Sequence, residues 1–251
     1  MMRSYPEAET TIMEMDKFVK DVNALANLPL CSDGQSQLSR VKPSLRQSVY
    51  SQITNSARSL GNSLDATAAR TQYSVFEMQQ LVETYIMGNI GSNILAWKRS
   101  LISTDVASKR SMLLSTLKSE GQEALGIPKD FCCYQQSAVK ELLKLEEEIT
   151  PADKLAVLVD VVGQVESAVS AFLLENGSGK EFCTDELIMV LVWVVASAAP
   201  RYVNLSVDLR FCVDFHFSQE VFGAPATRAD LCICHFRVAD NWIEERCAAL
   251  R

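Results

Sequence analysis

The feature that most constrains this fold is a run of apolar residues from Leu187 to Val195, within the segment CTDELIMVLVWVVASAAP. Every face of this run is apolar when it is drawn as a helix, and a helix that is apolar all round belongs inside a bundle. The β-branched residues in the run leave a buried strand as the competing interpretation. The length of the run and the helical patterns around it favour a helix, which Pro200 would end.

The same apolar segment is too short to cross a membrane. It extends from Leu187 to Ala199, whereas a spanning helix needs roughly 20 apolar residues. The N-terminal sequence MMRSYPEAETT has no apolar run behind its positive charge, so it does not have the form of a signal peptide. We therefore expect a cytoplasmic protein without a transmembrane segment.

Charge and cysteine usage exclude several classes of function. The chain has 24 basic and 31 acidic side chains, and its Lys and Arg residues are scattered singly. A nucleic-acid partner is therefore not expected, because such proteins usually carry a basic stripe. The eight cysteines include no C-x-x-C pair, and two histidines supply few bases. We expect free core thiols, no metal site, no cofactor and no Ser-His-Asp or Cys-His centre.

The first part of the chain has the pattern of two helices. Apolar residues recur at spacings of three and four from Glu7 to Ala26, and again from about Pro43 to Leu64. Pro43 suits the first turn of the second helix. The two segments predict an N-terminal helical hairpin at residues 1–70, packed on a larger domain at residues 71–251.

The larger domain is also patterned for helices. Thr150 and Pro151 have the form of an N-cap followed by the first helical residue, and the helix they begin would end at Asn176–Gly177. The other predicted helices lie at residues 75–95, 137–148, 203–217 and 229–249. Sparse Gly and Pro, 10 and 7 residues, agree with a helical domain rather than an all-β one.

One short motif invites a nucleotide-binding interpretation, which the sequence does not support. Residues 177–180 read GSGK. A phosphate-binding loop needs an earlier Gly at a fixed spacing and a Ser or Thr after the Lys. Glu181 follows the Lys here, so no phosphate-binding loop is predicted.

An acidic pair, Asp185 and Glu186, opens the apolar helix. Asp is a favoured N-cap, so the simplest interpretation is that Thr184 or Asp185 caps the helix and Glu186 adds charge to its first turn. A cap at an exposed helix end can also face a partner protein. The residues alone leave both interpretations open.

The order of five motifs resembles the Vps-nine (vacuolar protein sorting nine) domain. The resemblance extends from about residue 70 to residue 251. Its most specific part is a Thr-Pro-x-x-Lys-Leu helix start followed by a Thr-Asp-x-Leu apolar helix that ends in Pro. The motifs are LVETYIM at 81–87, GIPKDF at 126–131, ITPADKL at 149–155, TDELIMVLVWVV at 184–195 and NWIE at 241–244.

This resemblance implies both a fold and a function. The family comprises guanine nucleotide exchange factors for endosomal Rab GTPases of the Rab-five group, and its fold is a layered, all-α core preceded by a short helical bundle. Asp185 matches the acidic residue that is thought to enter the GTPase nucleotide site, oppose magnesium and phosphate, and pair with the phosphate-loop lysine. The partner would be a GTPase carrying GDP and magnesium, and the chain would be recruited from the cytoplasm to endosomal membranes.

The resemblance also implies a partner-binding surface around Asp185. Met189 stands where the family usually has Pro, and Trp193 is the aromatic residue near the middle of the apolar helix. Core packing is the simpler interpretation for both side chains. The full predicted surface is Met189, Trp193, Pro200, Asp230 and Leu231.

The sequence departs from the family at a downstream Gly-Glu-x-x-Tyr motif. Counting back from NWIE places the Tyr position near Leu231 and the Glu position near Arg228, with Asp230 beside them. No Tyr occurs after Tyr202. The departure leaves two alternatives to exchange: a degenerate domain that binds a GTPase without releasing its nucleotide, and an unrelated helical scaffold.

Overall fold

The computed structural model describes residues 9–26, 37–65, 75–199, 201–216 and 227–249. These residues form α-helices joined by loops and three short 3₁₀ turns, and none of them lies in a strand, so the predicted all-α fold is confirmed. The helices are α1 (Glu9–Ala26), α2 (Gln37–Asp65), α3 (Val75–Ser100), α4 (Thr104–Glu120), α5 (Gln136–Leu143), α6 (Pro151–Glu175), α7 (Thr184–Ala198), α8 (Leu205–Phe215) and α9 (Arg228–Ala249).

The helices belong to two compact units. The first contains α1, α2 and most of α3, and the second contains α4, α5, α7, α9 and most of α6 and α8. The predicted domain boundary at residue 70 stays a prediction, because the compactness of a unit does not define the limits of a family domain.

In the first unit, α1 and α2 pack against each other through the apolar faces that their periodicity predicted. Met15 of α1 and Val49 and Ile53 of α2 are fully buried. The prediction that Pro43 opens the second helix is wrong, because α2 begins at Gln37. Its opening residues QLSRVK are mostly polar, so they lack the apolar spacing by which a helix is recognised.

In the second unit, α7 is the central helix. It packs against α4, α5 and α9, and the side chains of Val190, Leu191, Val192 and Val194 are fully buried. The helical interpretation of the apolar run is therefore confirmed, and the strand is excluded. An all-apolar surface suits a helix that is enclosed by others.

α6 begins at Pro151, as the sequence predicted, and ends at Glu175. Gly177 follows in the left-handed region with φ of +60°. The Ser178 amide donates to the Leu173 carbonyl at 2.9 Å, which satisfies a carbonyl of the last helical turn. The predicted stop at Asn176–Gly177 is thus confirmed.

α6 is also long and apolar enough to cross a membrane, judged by length and composition alone. A helix in the core of a globular protein can meet the same criterion of length and composition. Its buried side chains join the hydrophobic core of the second unit: Leu155, Val157, Leu158, Val161, Val162, Val165, Val169 and Leu173.

A buried ionic network joins α6 to α8 and to the turn after α5. Lys154 Nζ lies 3.1 Å from Asp208 Oδ1 and also donates to the Leu145 carbonyl. The Tyr202 hydroxyl donates to Asp208 Oδ2 at 2.5 Å. Burial, with the nearby Asp208 charge, raises the pKa of Tyr202 well above its ordinary value. The lysine of ITPADKL is therefore part of the architecture of the second unit.

Candidate functional site

The first turn of α7 is closed by a capping box that the sequence did not predict. Cys183 is the N-cap, with an extended backbone at φ −103° and ψ 177°. Glu186 Oε2 accepts hydrogen bonds from the Cys183 amide, at 3.2 Å, and from Cys183 Sγ. The Glu186 amide in turn reaches Cys183 Sγ. The prediction that Thr184 or Asp185 caps the helix is wrong, because both already lie within its first turn.

Glu186 therefore does more than add charge to that turn. The hydrogen bond from Cys183 Sγ holds the pKa of the Glu186 carboxyl below its ordinary value, and backbone amides at the helix start add to the effect. The carboxyl stays ionised at neutral pH and accepts the cap hydrogen bonds.

Asp185 is left without a capping role. Its side chain is exposed, and within the described ranges no hydrogen bond or ion pair engages its carboxylate. The partial positive charge of a helix N-terminus favours a carboxylate at this place. Asp185 thus presents its carboxyl group to solvent at the start of a helix whose other turns are largely buried.

Two contacts attach the loop before α7 to the GIPKDF turn. Lys180 Nζ lies 2.5 Å from Asp130 Oδ2, and this ion pair lowers the pKa of the Asp130 carboxyl. The ring of Phe182 packs on Phe131 with centroids 5.3 Å apart and planes at 55°. The lysine of GSGK is therefore engaged within the chain.

The opposite end of α7 is held by α4. Lys118 Nζ donates to the carbonyls of Ser197 and Ala199, at 3.0 and 3.1 Å. A cation at a helix C-terminus satisfies free carbonyls and interacts favourably with the helix dipole. Nothing in the sequence around Lys118 indicated this role.

Of the predicted partner-binding residues on α7, Met189 and Trp193 are half-buried and pack against the core of the second unit. Core packing is therefore what both side chains do in the free chain, and partner contact through their exposed parts stays a prediction. Pro200 lies outside the described residues.

The start of α9 carries a second capping box. The amide and the hydroxyl of Thr227 donate to Asp230 Oδ2, at 2.6 and 2.5 Å, and the Asp230 amide donates to Thr227 Oγ1 at 3.4 Å. Asp230 thus stabilises its own helix. Leu231 is 56% exposed beside it, an apolar side chain without cover in the free chain.

An ion pair anchors the same helix end to α6. Arg228 Nη2 lies 2.7 Å from Glu166 Oε2, and both side chains are about half exposed. α9 also packs against α7, so the helix of Asp185 and the helix of Leu231 are neighbours. No contact among those described links Asp185 to Asp230 or Leu231, and the juxtaposition of their side chains stays a prediction.

The described cysteines are free thiols, as expected, but not all are in the core. Cys212 is buried, and burial raises its pKa to about 12. Cys183 and Cys234 are exposed. Within the described part of the chain, no three His, Cys, Asp or Glu side chains are grouped so that they could hold a metal ion.

A family model matches the part of the chain that holds two of the five motifs, ITPADKL and TDELIMVLVWVV. Residues 135–226 match the family model of the Vacuolar sorting protein 9 (VPS9) domain, and this stretch contains α5, α6, α7 with Asp185, and α8. This stretch is therefore similar to a VPS9 domain, as the resemblance implied. α9 lies beyond the match. No curated protein matches the chain.

Proposed function

We propose that this chain accelerates GDP release from a Rab GTPase of the Rab-five group, and that Asp185 is the residue that enters the nucleotide site. The observation that carries the proposal is the state of Asp185. Its carboxylate is exposed and not engaged by the described residues, at the start of a buried helix inside the VPS9 match.

The mechanism is electrostatic. GDP is held largely by Mg²⁺ and by a lysine that binds its phosphates, so a carboxylate in that site repels phosphate and competes for both cations. Two unit charges about 4 Å apart interact by about 4 kcal/mol at an effective dielectric constant of 20. An interaction of that size weakens GDP binding by about a thousandfold. The magnesium belongs to the GTPase.

The position of Asp185 suits this task because its helix is held in place. α7 is packed on three other helices, and Lys118 binds its C-terminal carbonyls. A carboxylate on a fixed helix meets the GTPase without a cost for ordering the backbone, so more of the binding energy opposes the nucleotide. The proposed contacts around it are Met189, Trp193, Pro200, Asp230 and Leu231.

Release of fluorescent GDP from a panel of purified Rab GTPases tests the proposal. Catalytic amounts of the chain should accelerate release from a member of the Rab-five group, and Asp185→Ala should abolish the acceleration at unchanged helicity. Asp105→Ala is the matched control, since Asp105 is an exposed acid in the first turn of α4. Equal loss in both variants would exclude a specific role for Asp185.

A second candidate is a domain that binds a GTPase without releasing its nucleotide. It is favoured by Arg228 and Leu231, which stand where the family motif has Glu and Tyr. Capture of nucleotide-free Rab together with an unchanged rate of GDP release would support it. Leu231→Tyr should then increase the release rate if the alignment of α9 with the motif is right.

We also propose that the chain works in the cytoplasm and is recruited to endosomal membranes, where Rab GTPases of this group act. Fluorescence microscopy of the tagged chain tests this. Co-localisation with an endosomal marker that increases when the target Rab is held in its GDP state is the expected result, and a uniform distribution under both conditions would contradict it.

A further inference from the structure

We infer that the GIPKDF turn is a positioning clamp for Asp185. Asp130 and Phe131 of the turn contact Lys180 and Phe182 of the loop that leads into α7. These four residues form the clamp. Its effect on nucleotide exchange rests on the proposed function. Its effect on the first turn of α7 does not, and is measurable on the chain alone.

The capping box at the first turn of α7 uses an unfavoured N-cap residue, so contacts from outside the helix add to its support. The first amides of a helix have no partner within it, so helix ends fray unless a cap or a tertiary contact holds them. Cys183 is the N-cap, and Cys is not among the favoured capping residues Ser, Thr, Asp and Asn. Asp185 precedes Leu187, the first buried side chain of the helix. Fraying of this turn would therefore displace Asp185.

The clamp acts immediately before that turn. Phe182 directly precedes the N-cap, and its ring lies on Phe131, which is 3% exposed and belongs to the core of the second unit. Lys180, two residues earlier, pairs with Asp130. One contact is apolar and the other is a partly exposed ion pair, which contributes less, so Phe182 makes the main attachment.

The turn that forms the clamp is itself fixed. The Phe131 amide donates to the Pro128 carbonyl at 2.8 Å. Gln122 Nε2 donates to the carbonyl of Cys133 at 2.8 Å, on the other side of Phe131. Gly126 opens the turn in the left-handed region with φ of +77°, a conformation that favours glycine. The loop before α7 is therefore attached to a turn that hydrogen bonds hold on both sides of Phe131.

Two measurements on the full chain test the inference. The first is hydrogen exchange of the Glu186 and Leu187 amides, whose bonds to Cys183 close the first turn. The second is GDP release at saturating and at half-saturating concentrations of the chain. Phe182→Ala should accelerate exchange of both amides by about fivefold to tenfold, as expected for loss of an aromatic pair that holds a helix end.

The same variant should lower the maximal rate of GDP release several-fold while the half-saturating concentration stays the same, because Asp185 is displaced and the remaining surface is intact. Phe182→Leu should recover part of both effects. Lys180→Met and Asp130→Lys should each change amide exchange and GDP release in the same directions but by less. Combining Asp130→Lys with Lys180→Asp should return both measurements toward the wild-type values. Lys109→Met, which removes an exposed ion pair on α4, is the control and should change neither measurement.

The outcomes separate the clamp from the proposed function. Unchanged amide exchange in both Phe182→Ala and Lys180→Met overturns the clamp, whatever the GTPase data show. Faster amide exchange with undiminished GDP release overturns its role in positioning Asp185. If the wild-type chain does not accelerate GDP release at all, the proposed function fails, and amide exchange alone decides whether the clamp holds the helix.

Discussion

Replacing Lys154 by Met should destabilise the second unit severely, because it removes the nearer and more buried of two cations that pair with the buried carboxylate of Asp208. Lys154 lies 3.1 Å from Asp208 Oδ1, and Arg99 lies 3.9 Å from the same oxygen. Lys154 is 0% exposed and Asp208 is 1% exposed. Removing one partner of such a pair leaves the other charge buried and costs about 3–5 kcal/mol. Domains are stable by only about 5–15 kcal/mol, so this single change removes a large share of the stability.

Urea unfolding followed by tryptophan fluorescence and circular dichroism measures the loss. The Lys154→Met midpoint should fall, while the slope of free energy against urea stays unchanged. The decisive control is Lys154→Met combined with Asp208→Leu, since replacing a buried ion pair by apolar residues is often neutral or stabilising. In that variant the Tyr202 hydroxyl, which donates a hydrogen bond to Asp208 in the wild type, would stay buried without an acceptor, so Tyr202→Phe is added to remove it.

The reasoning would be refuted by either of two results. The free energy of unfolding of Lys154→Met could lie within about 1 kcal/mol of the wild-type value, which would mean that Asp208 is not left as a buried, unpaired charge. Alternatively, the combined variant could be as unstable as Lys154→Met, which would mean that the loss comes from packing around Lys154 and not from the unpaired carboxylate.

Three further predictions concern the ends of α7 and the thiols. Glu186→Gln should destabilise the chain near pH 7, and this destabilisation should shrink as the pH falls. A folded-state pKa below the unfolded value of about 4.3 contributes stability that is present above that value and is lost as the pH falls through the folded pKa. Melting temperatures of both chains between pH 3 and 7 measure the destabilisation, and a constant difference between them would contradict the prediction. Lys118→Met should lower the free energy of unfolding, measured in urea, by about 0.3–1 kcal/mol, because a positive charge is removed from a helix C-terminus. An unchanged free energy of unfolding would mean that this cation does not stabilise α7. A thiol reagent should modify Cys183 and Cys234 in the native chain, but Cys212 only after unfolding, and early labelling of Cys212 by mass spectrometry would contradict its burial.

Helices were predictable from the sequence wherever apolar spacing was strong. The run from Leu187 to Val195 predicted a central helix because it offers no polar face, and Pro151 and Gly177 marked the ends of α6 through the conformations that Pro and Gly favour. The start of α2 was placed six residues late, because its first turns are polar and contribute nothing to the apolar period.

The arrangement around the candidate site was much less predictable. Asp185 was proposed from the motif order. The N-cap was wrongly placed at Thr184 or Asp185, because Cys is not among the residues favoured at that position. The ion pairs of Lys180 with Asp130 and of Arg228 with Glu166 join residues 50 and 62 positions apart. Single exposed charges at such distances leave no periodic pattern, so only the folded chain reveals which of them meet.

GDP release with Asp185→Asn tests the central claim most directly, because Asn keeps the shape of the side chain and removes only its charge. The variant should stay folded, because no hydrogen bond or ion pair within the described residues engages the Asp185 carboxylate. Its acceleration of GDP release should fall by about a hundredfold or more if the charge opposes the nucleotide. Wild-type acceleration by Asp185→Asn would contradict the account, because exchange would then not depend on a carboxylate at the start of α7.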